Sequence, residues 1–211
     1  MKRTDGITRA FVEAALRRQS VWDLGNEVLY RMCREHPDHR SEDAIVAKVW
    51  LIGRAYAAAI ERRRDTETAK GDDFYFKQVG PTIRRSNIDR WFAELRGLSR
   101  PDPVTVVPVH KRITDLFEQI SGLDKRSLAS KYLHFHFPRA VYIYDARAAS
   151  AIRRVSPPLR SRVLSFSEYD NEYARFFLRC ESFREELEQL IGRRVTPREV
   201  DKVLLGVADR V

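Results

Sequence analysis

The stretch Ile120-Ser-Gly-Leu-Asp-Lys-Arg-Ser-Leu-Ala-Ser-Lys-Tyr-Leu-His-Phe-His-Phe-Pro-Arg-Ala-Val-Tyr-Ile-Tyr-Asp-Ala-Arg-Ala149 decides the fold. Ile113, Leu116, Phe117 and Ile120 fall three or four apart, so a helix runs into this stretch and ends at Ile120. Gly122 supplies a tight turn. A second helix starts near Ser127 and runs to about Phe137, where Pro138 breaks it. Val141-Tyr-Ile-Tyr144 is β-prone, but no neighbouring run could pair with it to make a sheet. It reads as an extended link to Asp145, which can cap a third helix. Two helices joined by a glycine turn form a helix-hairpin-helix. Such a turn points backbone N–H groups and a helix N-terminus at one spot, which suits a phosphate. Lys125, Arg126 and Lys131 add positive charge there.

Helical signals continue on both sides. Ser20-Val-Trp-Asp23 reads as a cap with an acid three residues on. Ser41-Glu-Asp-Ala opens a segment reaching about Arg64, and Ser167-Glu-Tyr-Asp170 opens another to about Ile191, stopped by Gly192. Thr196-Pro-Arg-Glu199 is a capping box with proline at the first helical position. Ile45, Val49, Ile52, Tyr56 and Ile60 form one core stripe. Tyr169, Tyr173, Phe176, Phe177, Cys180 and Phe183 form another. Pro101-Asp-Pro-Val-Thr-Val-Val-Pro-Val109 alternates apolar residues among three prolines and is expected to be an extended connection. The fold class expected is all-α: a two-lobed helical domain with lobes 1–104 and 105–211, the second holding the hairpin.

The 211-residue chain carries a net charge of +9, and hydrophobic residues make up 43% of it, enough for a sizeable core. A positive surface gains free energy on a polyanion by counterion release. Nucleic acid is the expected partner, DNA first, with an anionic membrane as the competitor. Cys33 and Cys180 lie far apart in helical patterns and read as buried thiols. No apolar run reaches membrane-spanning length: the best, Ile45 to Ile60, is interrupted by Lys48 and Arg54. No signal-peptide core follows Met1, so the cytoplasm is the expected location.

The central stretch resembles the helix-hairpin-helix DNA glycosylase superfamily, most of all its bacterial 8-oxoguanine glycosylase-like branch. There, a run of the Ser-Lys-x-Leu-x-Phe type precedes Pro and an Ile-Tyr-Asp-like triplet. This chain has Ser130-Lys131-Tyr-Leu133-His-Phe135, Pro138 and Ile143-Tyr144-Asp145. The match covers about thirty residues; the upstream Trp50-Leu-Ile-Gly-Arg-Ala-Tyr56 agrees in being helical. The resemblance implies that Asp145 faces a flipped nucleotide and stabilises the cationic sugar left as a modified purine departs. It also implies, for bifunctional members, a lysine whose neutral amine attacks the sugar and forms a Schiff base. That lysine lies roughly twenty residues before the family's aspartate, which points to Lys125 or Arg126. The local pattern points instead to Lys131, fourteen residues before Asp145. Lys131 is preferred, with Lys125 as the alternative. One departure stands out: the second glycine of the family's Gly-x-Gly turn is Asp124 here, and an acid repels phosphate.

The implied nucleic-acid contacts are Gly122, Lys125, Arg126, Arg147, Arg153 and Arg154. No metal or other cofactor is expected. His134 and His136 are two apart in a helix and diverge, while His36 and His39 read as loop. Tyr142, Tyr144 and Trp91 are candidate stacking surfaces. Two further functions stay open beside the glycosylase: a non-catalytic nucleic-acid-binding module, and a helical partner subunit of a bacterial defence system.

Overall fold

The computed structural model describes residues 6–62, 72–156 and 169–210, and among them every regular element is a helix. The elements are α1 (Arg9–Arg17), α2 (Val21–Glu35), α3 (Glu42–Ala55), α4 (Asp72–Phe74), which passes through a π-helical turn at Tyr75–Val79 into α5 (Gly80–Arg85), α6 (Ile88–Leu95), α7 (Pro103–Ser121), α8 (Arg126–His136), α9 (Ala146–Val155), α10 (Asn171–Ile191) and α11 (Pro197–Ala208). No described helix is long and apolar enough to cross a membrane.

Capping chemistry sets most boundaries. The Ser41 hydroxyl accepts the Ala44 N–H, and Thr196 and Glu199 form a reciprocal box at α11. Gly122 and Gly192 end α7 and α10 in the left-handed conformation, with φ of 72° and 74°, where a side chain would be strained. Asp170 caps α10; the expected cap Ser167 lies outside the described residues, as does Arg64.

α7 packs against α8, α6 and α10, while α8 receives α2 and α3. α9 lies against α10 and α11, and α1 covers α11. One contiguous apolar cluster runs from Val12 and Leu29 through Phe117, Tyr132 and Phe177 to Val207. Both expected thiols are free and buried in it.

Pro101–Val109 is not an extended connection. Asp102 caps α7 by accepting the Val104 N–H, and Pro103 occupies the first helical position, where no N–H is needed. Pro108 lies inside the helix and forfeits one backbone bond. Burial of Val106, Val107 and Val109 against the core offsets that loss, at ~1.5–3 kcal/mol per apolar side chain. The Asp-Pro pair marked a helix start, and the apolar residues that resembled strand alternation sit on a buried helical face. A boundary after residue 104 therefore falls within the first turn of α7.

Candidate functional site

The run Ser130, Lys131 and His134 on α8 straps the buried segment 141–144 into place. The Ser130 hydroxyl accepts the Tyr144 N–H at 2.9 Å, and the Lys131 ammonium donates to the Tyr144 carbonyl at 3.0 Å. His134 Nδ1 donates to the Val141 carbonyl at 2.7 Å, which leaves Nε2 to accept from the Tyr30 hydroxyl. Burial holds this ring neutral, with a pKa pushed down to about 4. From α10, the Tyr173 hydroxyl donates to the Tyr142 carbonyl. Beyond the Val141 N–H, which donates to the Phe137 carbonyl at 3.2 Å, this strand-like segment has no sheet to pair with, so side chains of α8 and α10 supply its partners. The segment thus delivers Asp145 to a fixed point.

Asp145 caps α9: its Oδ1 accepts the Ala148 N–H at 2.9 Å. Its Oδ2 lies 3.8 Å from Lys131 Nζ. The carboxylate is one-third exposed, whereas Lys131 is only 1% exposed. The ammonium also donates to the Ser127 hydroxyl at 2.7 Å and sits 5.7 Å from the Tyr56 ring centroid. Burial lowers the Lys131 pKa, while the charges of Asp145 and Asp201 oppose that shift.

Asp145 opens on a cavity of about 580 Å³. Trp22, Tyr56 and Ile143 form part of its apolar wall, and Arg198 and Asp201 of α11 reach its floor. Asp201 is 5% exposed and forms a close charged hydrogen bond with Arg198 through Oδ2. Burial pushes the Asp201 carboxyl up to about 6, against the pull of Arg198; the nearby Asp145 charge raises it further. At the rim, Arg18 and Arg147 converge on Asp209, and Lys202 pairs with Asp23 at 3.1 Å.

Tyr56 reaches the cavity through a tight chain reversal at the end of α3. Ala57 takes a left-handed conformation with φ of 49°, and the Ala58 N–H donates to the Gly53 carbonyl at 2.8 Å. A side chain at Gly53 would meet the Ala59 Cα at 3.0 Å, so glycine permits the reversal.

The structure brings Lys131 and Asp145 together. Lys125 is engaged elsewhere, donating to the Arg62 carbonyl at 2.7 Å. Gly122 caps α7, and Asp124, one residue before the Lys125 N-cap of α8, accepts the Arg126 N–H at 2.8 Å. Arg126 is held by three carboxylates: Asp170, Asp124 at 2.9 Å and Glu172 at 3.3 Å. The hollow beside this turn is lined by Asp115, Glu118, Asp124, Asp170 and Glu172 against only Lys111 and Arg126, a field that disfavours phosphate. Arg147 stands in the first turn of α9. Arg153 and Arg154 lie exposed in its last turn, roughly 10 Å away along the axis at 1.5 Å per residue.

His39 lies in the loop between α2 and α3, as expected, but it is 2% exposed and bonded to Asp89 and Tyr132. Tyr142 and Tyr144 are buried, with hydroxyls on Glu181 and Glu172, so neither offers a stacking face. Trp22, half exposed at the cavity wall, fills that place instead. No group of three His, Cys, Asp or Glu among the described residues could hold a metal ion.

No family model, curated protein or solved structure matches the chain. Arg198, Asp201 and Trp22 escaped the sequence reading. For the first two, the i,i+3 spacing of Arg198 and Asp201 shows only an oppositely charged pair on one face of α11, with nothing to place that face at a cavity.

Proposed function

We propose that this chain is a DNA glycosylase-like protein of helix-hairpin-helix type, which accepts a flipped, modified nucleotide between two helical lobes and cleaves its glycosidic bond. The observation that carries the proposal is the Asp145 carboxylate, which opens on the cavity with the Lys131 ammonium 3.8 Å behind it. An anion fixed by an ammonium and a helix N-terminus needs little reorganisation when positive charge develops on a sugar in front of it. The cavity falls within the size range of pockets that enclose small ligands, and its walls are apolar and aromatic, as a base requires.

Two mechanisms share this arrangement. In the hydrolytic one, Asp145 stabilises the sugar cation and a water adds to C1′. In the lyase version, Lys131 loses a proton and attacks C1′ itself. The ammonium already donates to Ser127 and Tyr144 and faces Asp145 at 3.8 Å, with the Lys131 side chain only 1% exposed. This favours the hydrolytic version, with Lys131 as the residue that positions Asp145. Net charge +9 supports DNA as the partner, with Arg147, Arg18 and Lys202 at the cavity rim as candidate phosphate contacts.

The test is base release from duplex DNA carrying 8-oxoguanine or 7-methylguanine, followed by chromatography. Asp145→Asn should lower it at least 10²-fold with folding unchanged by circular dichroism. Borohydride trapping on abasic duplex reads the lyase version separately. Base release by Asp145→Asn equal to that of the parent protein overturns the proposal.

A second reading is a non-catalytic nucleic-acid module, supported by the net charge of +9, which favours a polyanion whether or not the cavity is catalytic. It predicts no base release, with salt-sensitive DNA or RNA binding unaltered in Asp145→Asn.

A further inference from the structure

The cavity holds two carboxylates, Asp145 and Asp201, contributed by different helices, and they stand in contrasting surroundings. Asp145 is one-third exposed, with one oxygen bonded at a helix N-terminus and the other facing the Lys131 ammonium. Asp201 is buried, bonded through Oδ2 to Arg198, and no hydrogen bond is made to its Oδ1 by any described residue. We propose that Asp201 is the general acid of this site, delivering a proton to the departing base while the Asp145 carboxylate faces the sugar. The inference rests on the glycosylase reading and adds a catalytic residue to it.

Expelling a base as an anion is slow, and a proton placed on it in the transition state relieves that difficulty. The step balances. The C1′–N bond breaks and its electron pair goes to the base. The Asp201 proton passes to the base, either on a ring nitrogen or on an exocyclic oxygen. Water then adds to C1′, and its surplus proton returns to the Asp201 carboxylate.

The surroundings suit the task. Asp201 is faced by Arg198 from its own helix, Lys131 from α8, Asp145 at the start of α9, Tyr56 at the end of α3, Tyr30 on α2 and Cys180 on α10. Burial and the neighbouring Asp145 charge favour the protonated form, while Arg198 and Lys131 oppose it. The balance keeps a fraction of Asp201 protonated near neutral pH, whereas a solvated aspartate would be almost fully ionised. The raised Asp201 carboxyl supplies a proton donor in the same cavity as the Asp145 carboxylate. The Arg198 side chain, tied to Asp201 and 3.6 Å from Asp23, fixes the acid's orientation.

The experiment compares two leaving groups on the full chain. 7-Methylguanine carries a positive charge and leaves as a neutral base without protonation; 8-oxoguanine needs the proton. Asp201→Asn should slow 8-oxoguanine release roughly 10²-fold or more and 7-methylguanine release by less than threefold. In the parent protein, 8-oxoguanine release should fall as pH rises through about 6, with no such limb for 7-methylguanine. The pH comparison needs no variant, so it stands even if Asp201→Asn folds poorly. Equal slowing of both bases, together with the same pH limb for both, overturns the role of Asp201 and leaves Asp145 untouched. Failure of the parent protein to release either base, or indifference to Asp145→Asn, overturns the glycosylase reading and this inference with it.

Discussion

Lys48 and Lys131 are the most deeply buried of the described lysines, and the difference between them explains what makes a site. Lys48 on α3 donates to the carbonyls of His36 and Asp38 at 2.8 and 2.9 Å, beside Cys33 and 6.0 Å from the Tyr132 ring centroid. Burial pushes its pKa down to about 8. Its neighbours form a closed network: His39 donates to Asp89 at 2.7 Å and accepts from the Tyr132 hydroxyl at 2.8 Å, with His136 packed against the same rings. Lys131 is equally covered and also donates to a carbonyl, yet it stands behind an acid that opens on a cavity. Burial and a depressed pKa are common to both. The carboxylate that touches ammonium on one side and open space on the other belongs only to Lys131.

The largest expected effect tests that contrast on activity. Lys131→Met removes the charge that fixes Asp145 and should reduce base release by 10²- to 10³-fold, the scale of one lost preorganised electrostatic partner. Lys48→Met should leave kcat/KM within about threefold, because no group of the closed network lines the cavity. Its stability should change by no more than ~2 kcal/mol. Two carbonyls lose a donor, but the cost of a buried charge disappears at the same time. Steady-state base release and urea unfolding on both variants check this. Equal losses of activity would erase the distinction.

The next effect, of similar size, sets the two regions against each other by pH. His39 has its pKa pushed down to about 4, by burial first and by the Lys48 charge second. Between pH 6.5 and 4 the unfolded chain takes up this proton and the folded chain does not. Stability is therefore full above about 6.5 and lost as pH falls, by about 3 kcal/mol for a shift of this size. Asp201 has the opposite sign. Its folded pKa of about 6 exceeds its unfolded value, so its contribution is full below about 4 and is lost as pH rises through 6. Urea unfolding from pH 4 to 7.5 should show His39→Gln flattening the acid loss. Over the same range Asp201→Asn should gain on the parent protein as pH rises, by up to ~3 kcal/mol. A parallel pH dependence in parent and both variants would show that neither group titrates as its surroundings imply.

The sequence carries the local devices and loses what only tertiary packing creates. Ser20, Ser41, Thr196 and Gly192 mark real helix ends because a cap is a contact between residues a few positions apart. The placement of Asp145 at the start of α9 is legible for the same reason. The pairing of Lys131 with Asp145 was also accessible, through a local pattern whose physical content is the strapping of residues 141–144 by α8. Lys125 could not be separated from it by counting, since the turn that sends Lys125 to the Arg62 carbonyl is not written in spacing. His39 reads as loop from its Pro-containing surroundings, yet Asp89 and Tyr132 enclose it from 50 and 93 residues away. Arg198 and Asp201 were invisible as site residues because nothing local brings α11 to α9. At α7, proline composition outweighed the Asp102-Pro103 start signal, although that signal is the local one.

The smallest effect lies where one helix serves both regions. The middle of α3 gives Lys48 to the closed network, and its end gives Tyr56 to the cavity. Between them the chain reverses on Ala57, the one described residue other than glycine with positive φ. The Ala57 N–H donates to the Arg54 carbonyl at 3.3 Å, and the Ala58 N–H to Gly53, so the reversal satisfies two carbonyls at the helix end in the usual Schellman manner. Glycine is the common residue at that position because a Cβ in the left-handed region costs roughly 1 kcal/mol. Ala57→Gly should therefore raise stability by ~0.5–1 kcal/mol, even though glycine also adds freedom to the unfolded chain. Urea midpoints at fixed m-value measure it. A loss of stability instead would mean that the Ala57 methyl, which lines the cavity, packs well enough to outweigh the strain. The reversal would then be held by the cavity wall, and the end of α3 would belong with the site, apart from the closed network around Lys48.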